Sequence, residues 1–465
     1  MSLAHEIIYG TPAGVSQRIE YGADVNEMDP YGFTPLIEAA IVNSVEIAEI
    51  LINNGAEIDG PDVTGRTALH WAADNNNVPL CKLLLEHEAN PNTYSRGGQS
   101  VLVYPLLRKQ QTLKKLLYQY GASLNFAQDY INTKLLGHRF HLVGQVDIVD
   151  NTDRFIELNL EGFFLECTLS IVQNSLERYQ NNFAARHLRS YFNYLGKIID
   201  RFALASDLLK YQNYTIDIND HAAKIDKLLN NDLLLLPVAY KGHAVTFVKY
   251  KDFFARCDRG INSKKEGSIV IYHLNRSRAL NTDFLKDLIY KPQSEEFITA
   301  GIKKALGLMP IMQLPLKSQL TGNCSWANVE ASIPTILFLL LLDEKKKIRE
   351  SDIVACKESA MAFYRNWLEW DKDRALEDCF HSFARASQAR QASKAALLGA
   401  ILFQRCNYQN PVDVARAEKM LQILTLPEYV YVLKSYLKIY WKNRKTPVGY
   451  NLLQMLETCG IKLDV

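Results

Sequence analysis

A cysteine at position 324 stands in a setting suited to nucleophilic chemistry. Gly322 allows a tight turn, Asn323 follows, and from Cys324-Ser325-Trp326-Ala327 onward the residue types suit a helix. A thiol at a helix N-terminus is drawn toward its thiolate by the free N–H groups and the helix dipole. Attack on a carbonyl also needs a base, a group to orient that base, and donors for the oxyanion. His243, Asp258 and Gln319 are of the right types, and all three precede Cys324 in the chain. The bland reading is that a lone cysteine is a small buried hydrophobe, and Cys167, Cys257 and Cys356 are read that way. His273, inside Ile271-Tyr272-His273-Leu274, is read as a strand residue.

The elements around these residues are expected to be mixed. Leu233–Ala239, His243–Tyr250 and Ser268–His273 are rich in β-branched, aromatic and leucine residues and read as strands. Asp258 lies in a turn, Cys257-Asp258-Arg259-Gly260, ahead of the third strand. Strand-like pieces are also expected between about 126 and 162, including Arg139-Phe140-His141-Leu142-Val143. From Glu166 to about Tyr211, apolar residues spaced by three and four (Leu188, Tyr191, Phe192, Leu195, Ile198, Ile199, Phe202) indicate helix. Pro334 implies that the helix beginning at Cys324 is short or kinked. From about Glu344 to the end the pattern is helical. The expected organisation is therefore multidomain. Residues 1–126 form an all-α solenoid. Residues 127–343 form an α+β domain with a helical insertion at about 166–230. Residues 344–465 form a helical C-terminal region.

The order His243, Asp258, Gln319, Cys324 resembles that of the adenain/Ulp-type cysteine proteases and their acyltransferase relatives. Gly322-Asn323-Cys324-Ser325-Trp326-Ala327 also resembles the cysteine-bearing helix start of papain-like enzymes, whose chain order is the reverse. The resemblance implies that Cys324 is the nucleophile and His243 the base. It implies that Asp258 orients His243 and that Gln319 helps to bind the oxyanion. Where the Ulp-type families usually place an aromatic residue after the histidine, this chain has Ala244.

The first quarter of the chain is repetitive. Gly32, Gly65 and Gly98 recur every 33 residues, Gly22 and Gly55 share that spacing, and Asn26, Asp59, Asn92 and Asn125 lie on the same grid. Such a period marks a solenoid. Thr34-Pro35-Leu36 with Ala39-Ala40, and Thr67-Ala68-Leu69-His70 with Ala72-Ala73, resemble ankyrin repeats; four are counted, the outer two degenerate as end caps require. His70 is then a structural consensus residue. The resemblance implies protein binding through the concave face and the hairpin tips, with Met28, Tyr31, Asp62, Thr64, Tyr94 and Arg96 as the candidate contacts. It also places Asn26, Asn92 and Asn125 where ankyrin asparagines are hydroxylated by a eukaryotic enzyme; the simpler reading is that they hold the turns.

Composition narrows the remaining classes. The chain has 465 residues, with 53 Lys+Arg against 51 Asp+Glu, a balance that gives no support for a nucleic-acid-binding protein. Eight scattered cysteines form no Cys-x-x-Cys pair, and no metal-ligand cluster or Gly-rich phosphate loop is present, so neither metal nor cofactor is expected. The N-terminus has no Sec-type signal pattern, and the longest apolar run, Ile336 to Leu342, is too short to span a bilayer. Taken whole, the chain resembles the ankyrin-repeat effectors of the Legionella type. That resemblance implies delivery by a type IV secretion system, a host protein as target, and a site of action in the host cytosol or nucleus. Two functions fit: a thiol hydrolase or acyltransferase aimed by the repeats, or a non-catalytic adaptor that remodels a host complex.

Overall fold

The computed structural model describes residues 2–463 except 161–164, 213–217, 220, 241, 261–262, 320–321 and 346. The chain opens with four helix pairs: α1 (Leu3–Tyr9) and α2 (Pro12–Glu20), α3 (Pro35–Ile41) and α4 (Val45–Asn53), α5 (Ala68–Asp74) and α6 (Val78–Glu86), α7 (Val103–Leu107) and α8 (Gln111–Gln119). The Thr34-Pro35 pair starts and caps α3. Thr34 Oγ1 accepts from Ile37 N at 3.2 Å, and Pro35 occupies the first turn, where its missing N–H costs no helical bond. The tip glycine Gly65 needs its positive φ of 82°, and a Cβ there would lie 2.9 Å from Arg96 N of the next tip.

After the repeats come α9 (Leu124–Arg139) and a two-stranded antiparallel sheet of β1 (Gln145–Val149) and β2 (Phe155–Asn159). The strand expected over 139–143 is a helix end and a turn instead. Arg139 is buried as the last residue of α9, Leu142 N closes back on Gly137 O, and His141 takes a left-handed φ of 48°, so extended chain begins only at Gln145.

Helices α10 (Leu165–Gln180), α11 (Phe192–Leu209) and α12 (Ala222–Leu229) lead into a five-stranded sheet. Its strands are β3 (Leu233–Tyr240), β4 (His243–Tyr250), β5 (Phe253–Cys257), β6 (Ile269–Leu274) and β7 (Leu308–Leu314). They lie in the order β3-β4-β5-β6-β7, every neighbour antiparallel. The short α13 (Ser263–Glu266), α14 (Thr282–Tyr290) and α15 (Ile302–Leu306) fall between strands. β5 and β7 were not anticipated; β5 ends at the cysteine that precedes Asp258.

Helix α16 (Cys324–Asp343) packs on β4 and β5, while α11, α12, α14 and α15 cover the opposite face of the sheet around Leu208, Ile225, Leu236, Phe247, Phe254 and Leu288. β4 is therefore buried on both faces, which matches its unbroken buried run from Ala244 to Val248, apolar except for Thr246. α16 runs through Pro334 for its full 20 residues, so of the expected alternatives, short or kinked, the short helix is corrected. The proline removes only the bond to the Glu330 carbonyl, and burial along almost the whole helix holds it in place. The helix is long and apolar enough to cross a membrane, yet 94% of its apolar stretch is buried within the fold, as in a core helix.

The chain ends in α17 (Glu350–Phe383), α18 (Gln388–Arg405), α19 (Pro411–Leu424), α20 (Val430–Tyr436), a π-helical turn over Leu437–Asn443, and α21 (Pro447–Thr458). Two compact units result, Met1–Leu160 with Lys372–Val465, and Glu161–Asp371. These divisions fall elsewhere than the sequence boundaries at 126 and 343. α9 and the β1–β2 hairpin group with the repeats, and the helices of the proposed insertion at about 166–230 begin the second unit.

Phe254 is fully buried in the sheet core and stacks on Phe247 at 5.2 Å. Phe254→Ala should cost about 3–5 kcal/mol. Amide exchange of β3–β6 should accelerate accordingly, and unchanged protection there would contradict the packing described.

Candidate thiol site

Three elements of the second unit converge on the sulfur. The β3–β4 hairpin turns at Gly242, with φ of 76°, and β4 opens on His243. β5 ends at Cys257, so Asp258 begins the loop beyond it, and Cys324 is the first residue of α16. His243 Nε2 lies 3.1 Å from Asp258 Oδ1, and Ala244 N donates to Cys324 Sγ at 3.3 Å. With Nε2 engaged by the carboxylate, Nδ1 is the ring nitrogen left for the thiol.

The charges follow from this geometry. Burial alone would push Asp258 up, but its hydrogen bonds to His243 and to the Gly260 amide hold the carboxyl below its ordinary value. The Asp258 bond, and then the bond to Cys324, push His243 up to about 9. Burial also raises the Cys324 thiol. His243 and the amides of Ala244 and Ser325 outweigh it, and the thiol is held below its ordinary value. Cys81, Cys257, Cys356, Cys379, Cys406 and Cys459 all shift the other way, burial being the first cause in each. Cys324 is set apart from these six by its neighbours, as a thiolate–imidazolium pair requires.

Two residues given no role by the sequence hold the arrangement together. Asn328, fully buried one turn along α16, donates from Nδ2 to Ala244 O at 2.6 Å and accepts at Oδ1 from Arg259 N at 2.7 Å. One amide thus ties the helix that begins at Cys324 to both the histidine strand and the aspartate loop. The signal was available in principle, since a buried asparagine in an apolar helix must find partners. Gly260 is the second. A Cβ there would sit 2.8 Å from His243 Cε1 and 3.0 Å from Asp258 Oδ1, so only glycine lets the loop close on the pair.

Gln319 is joined to the same loop through its backbone, Gln319 N donating to Arg259 O at 2.8 Å. Its Oε1, like Asn323 Oδ1, is buried without a hydrogen-bond partner among the described residues. Leu320 and Thr321, which follow Gln319, lie outside the described residues. Among the described residues no His, Cys, Asp and Glu cluster could hold a metal ion.

The repeat residues sort by what they touch. Met28 (49% exposed) and Tyr31 (65%) project from the first tip, and Thr64 and Arg96 are exposed on later ones. Val63, 54% exposed, belongs with them and was missed. Asp62 is corrected from contact to support. It is 3% exposed, and its carboxylate accepts from Thr64 N, Thr64 Oγ1, Arg66 N and Trp71 Nε1. Tyr94 is half-buried edge-on against Phe126 at 5.6 Å.

Asn26 and Asn92 bridge successive repeats, each donating from Nδ2 to a glycine carbonyl and accepting from a backbone amide. Asn125 breaks the grid, because it lies exposed inside α9. His70 is fully buried between Thr67 and the Gln99 carbonyl, and burial drives its pKa down to about 3, so it stays neutral.

The first 128 residues define an ankyrin-repeat protein: the family described as ankyrin repeats in three copies matches over residues 3–95 and 56–128. A search of curated proteins gives no match. Among solved structures, the chain is similar to the Legionella effector AnkH, with 46% identity and a TM-score of 0.93 over 100% of this chain and 98% of that one. The chain belongs to the AnkH family.

The shifts at the site set a pH window. The thiolate–imidazolium pair forms above the lowered Cys324 pKa and is lost as His243 deprotonates at about 9. Iodoacetamide should therefore alkylate Cys324 well below the free-thiol range of about 8.5, ahead of Cys459, and His243→Ala should move the profile upward. A profile unchanged by His243→Ala would remove the pair. Asn328→Leu should also raise the alkylation pKa of Cys324; a variant that only melts earlier, with the wild-type pH profile, would reduce Asn328 to a packing role.

Proposed function

We propose that this protein is a secreted effector that grips a host protein through its ankyrin tips and acts on it through Cys324, as a thiol hydrolase or acyltransferase. The observation that carries the chemistry is the joined set of contacts, Asp258 to His243 at 3.1 Å and the Ala244 amide to the Cys324 sulfur at 3.3 Å. In the proposed reaction the Cys324 thiolate adds to a substrate carbonyl, and amides at the start of α16, aided by Gln319, receive the oxyanion. Collapse expels the leaving group, which takes a proton from the His243 imidazolium, and a thioester remains on Cys324. Neutral His243 then takes a proton from water or an acceptor amine as that nucleophile attacks the thioester. The thiolate leaves, giving an acid or a transferred acyl group.

Kinship with a Legionella effector supports delivery into a host cell, by the type IV route, for action in the cytosol or nucleus. The exposed tip residues Met28, Tyr31, Val63 and Arg96 favour a second reading, an adaptor whose repeats alone remodel a host complex. An activated acetyl ester separates the two. Intact-mass spectrometry should find an acetyl group that maps to Cys324, turns over on adding an amine or with time, and is absent from Cys324→Ala. A wild-type protein that never carries the acetyl group at Cys324 would leave the adaptor reading.

A further inference from the structure

The C-terminal helices carry a surface that neither the thiol site nor the repeats use. From Tyr429 to Leu456 the sequence contains no Asp or Glu and five cations, Lys434, Lys438, Lys442, Arg444 and Lys445, in a chain whose net charge is only +2. All five are exposed, and none has an ion-pair partner among the described residues.

Packing decides which way they face. Leu433 and Leu437 are buried, and Tyr436 and Tyr440 lie on Phe403 with ring centroids 4.3 and 4.7 Å away, so one side of α20 and of the π-helical turn is fixed against α18. Lys434, Lys438 and Lys442, spaced by four, remain outside. The wider turn of the π-helix keeps Lys442 in register with the two before it. Tyr431, 53% exposed, and Ile439, 41% exposed, stand among these lysines. Lys445 lies over the Trp441 ring at 4.3 Å, and Tyr450 packs beside that ring.

A run of exposed cations is usually a solvated helix face, but such faces normally interleave acids, which offset the repulsion. Here acids are absent over 28 residues, and aliphatic and aromatic side chains stand exposed between the cations. That combination is the composition of a helix lying in a membrane interface, with lysines on headgroups and apolar side chains in the acyl boundary.

We infer that the face formed by α20 and the π-helical turn docks on an anionic phospholipid bilayer. Nucleic acid is the less suitable partner, because single strands are held in grooves by stacking aromatics, whereas Ile439 has no ring and the lysines lie along a helix surface.

The test uses the full-length protein and sedimentation with vesicles of phosphatidylcholine alone or mixed with phosphatidylserine. Binding should require phosphatidylserine and weaken as salt rises. The triple variant Lys434→Glu, Lys438→Glu, Lys442→Glu should lose about a hundredfold in affinity while melting as the wild type does. Ile439→Ser should weaken binding without changing its salt dependence. Absence of sedimentation with phosphatidylserine vesicles at low salt, or equal binding by the triple variant, would overturn the inference. So would a wild-type protein that binds a single-stranded oligonucleotide through these lysines in preference to the vesicles.

Discussion

One buried amide makes the thiol site a single object. Asn328 holds the backbone beside the two partners of the thiol, the Ala244 carbonyl next to His243 and the Arg259 amide next to Asp258, from one turn beyond Cys324. A buried amide with both ends satisfied is stabilising, and one with either end broken leaves a polar group stranded at a cost of about 1–3 kcal/mol. The strand, the loop and the helix are thus held in one arrangement, and the positions of His243, Asp258 and Cys324 follow from it.

The sheet makes that arrangement available. Antiparallel pairing sets Thr246 of β4 opposite Cys257 of β5, so the start of one strand and the end of its neighbour emerge at the same edge. His243 and Asp258 are therefore neighbours although 15 residues separate them. α16 then packs along the same two strands and delivers its N-terminus to that edge. Sheet register and helix packing do the positioning, and Gly260 leaves the space that the His243–Asp258 contact needs.

The two ends of the chain follow different physical logic. In the repeats, residues on the 33-residue grid form bonds between units, as Asn26 and Asn92 do, and the variable residues left over at the tips, Met28, Tyr31, Val63 and Arg96, are what a partner would meet. Asp62 illustrates how a tip residue can look available and be committed, since its carboxylate is spent on the turn and on Trp71. In the C-terminal helices the inward aromatic contacts to Phe403 fix the fold, and the lysines are left outside without acidic partners.

The repeat architecture and a set of residue types suited to thiol chemistry were legible in the sequence, because both rest on local signals. A fixed period, Thr-Pro helix starts and a Gly-Asn-Cys turn before a helix are written within a few residues of each other. The strand over 139–143, a helix shortened at Pro334 and the surface role of Asp62 were misread for one common reason: burial and partners distant in sequence outweighed local preference. Asn328 in an apolar helix signalled only that partners must exist, not which ones, and the need for glycine at 260 had no local signature. By itself the sequence determined which residues could perform thiol chemistry and which segment must stack as a solenoid. Only the tertiary structure decided that His243, Asp258 and Cys324 meet, because their meeting depends on strand register and on hydrogen bonds between elements separated by scores of residues.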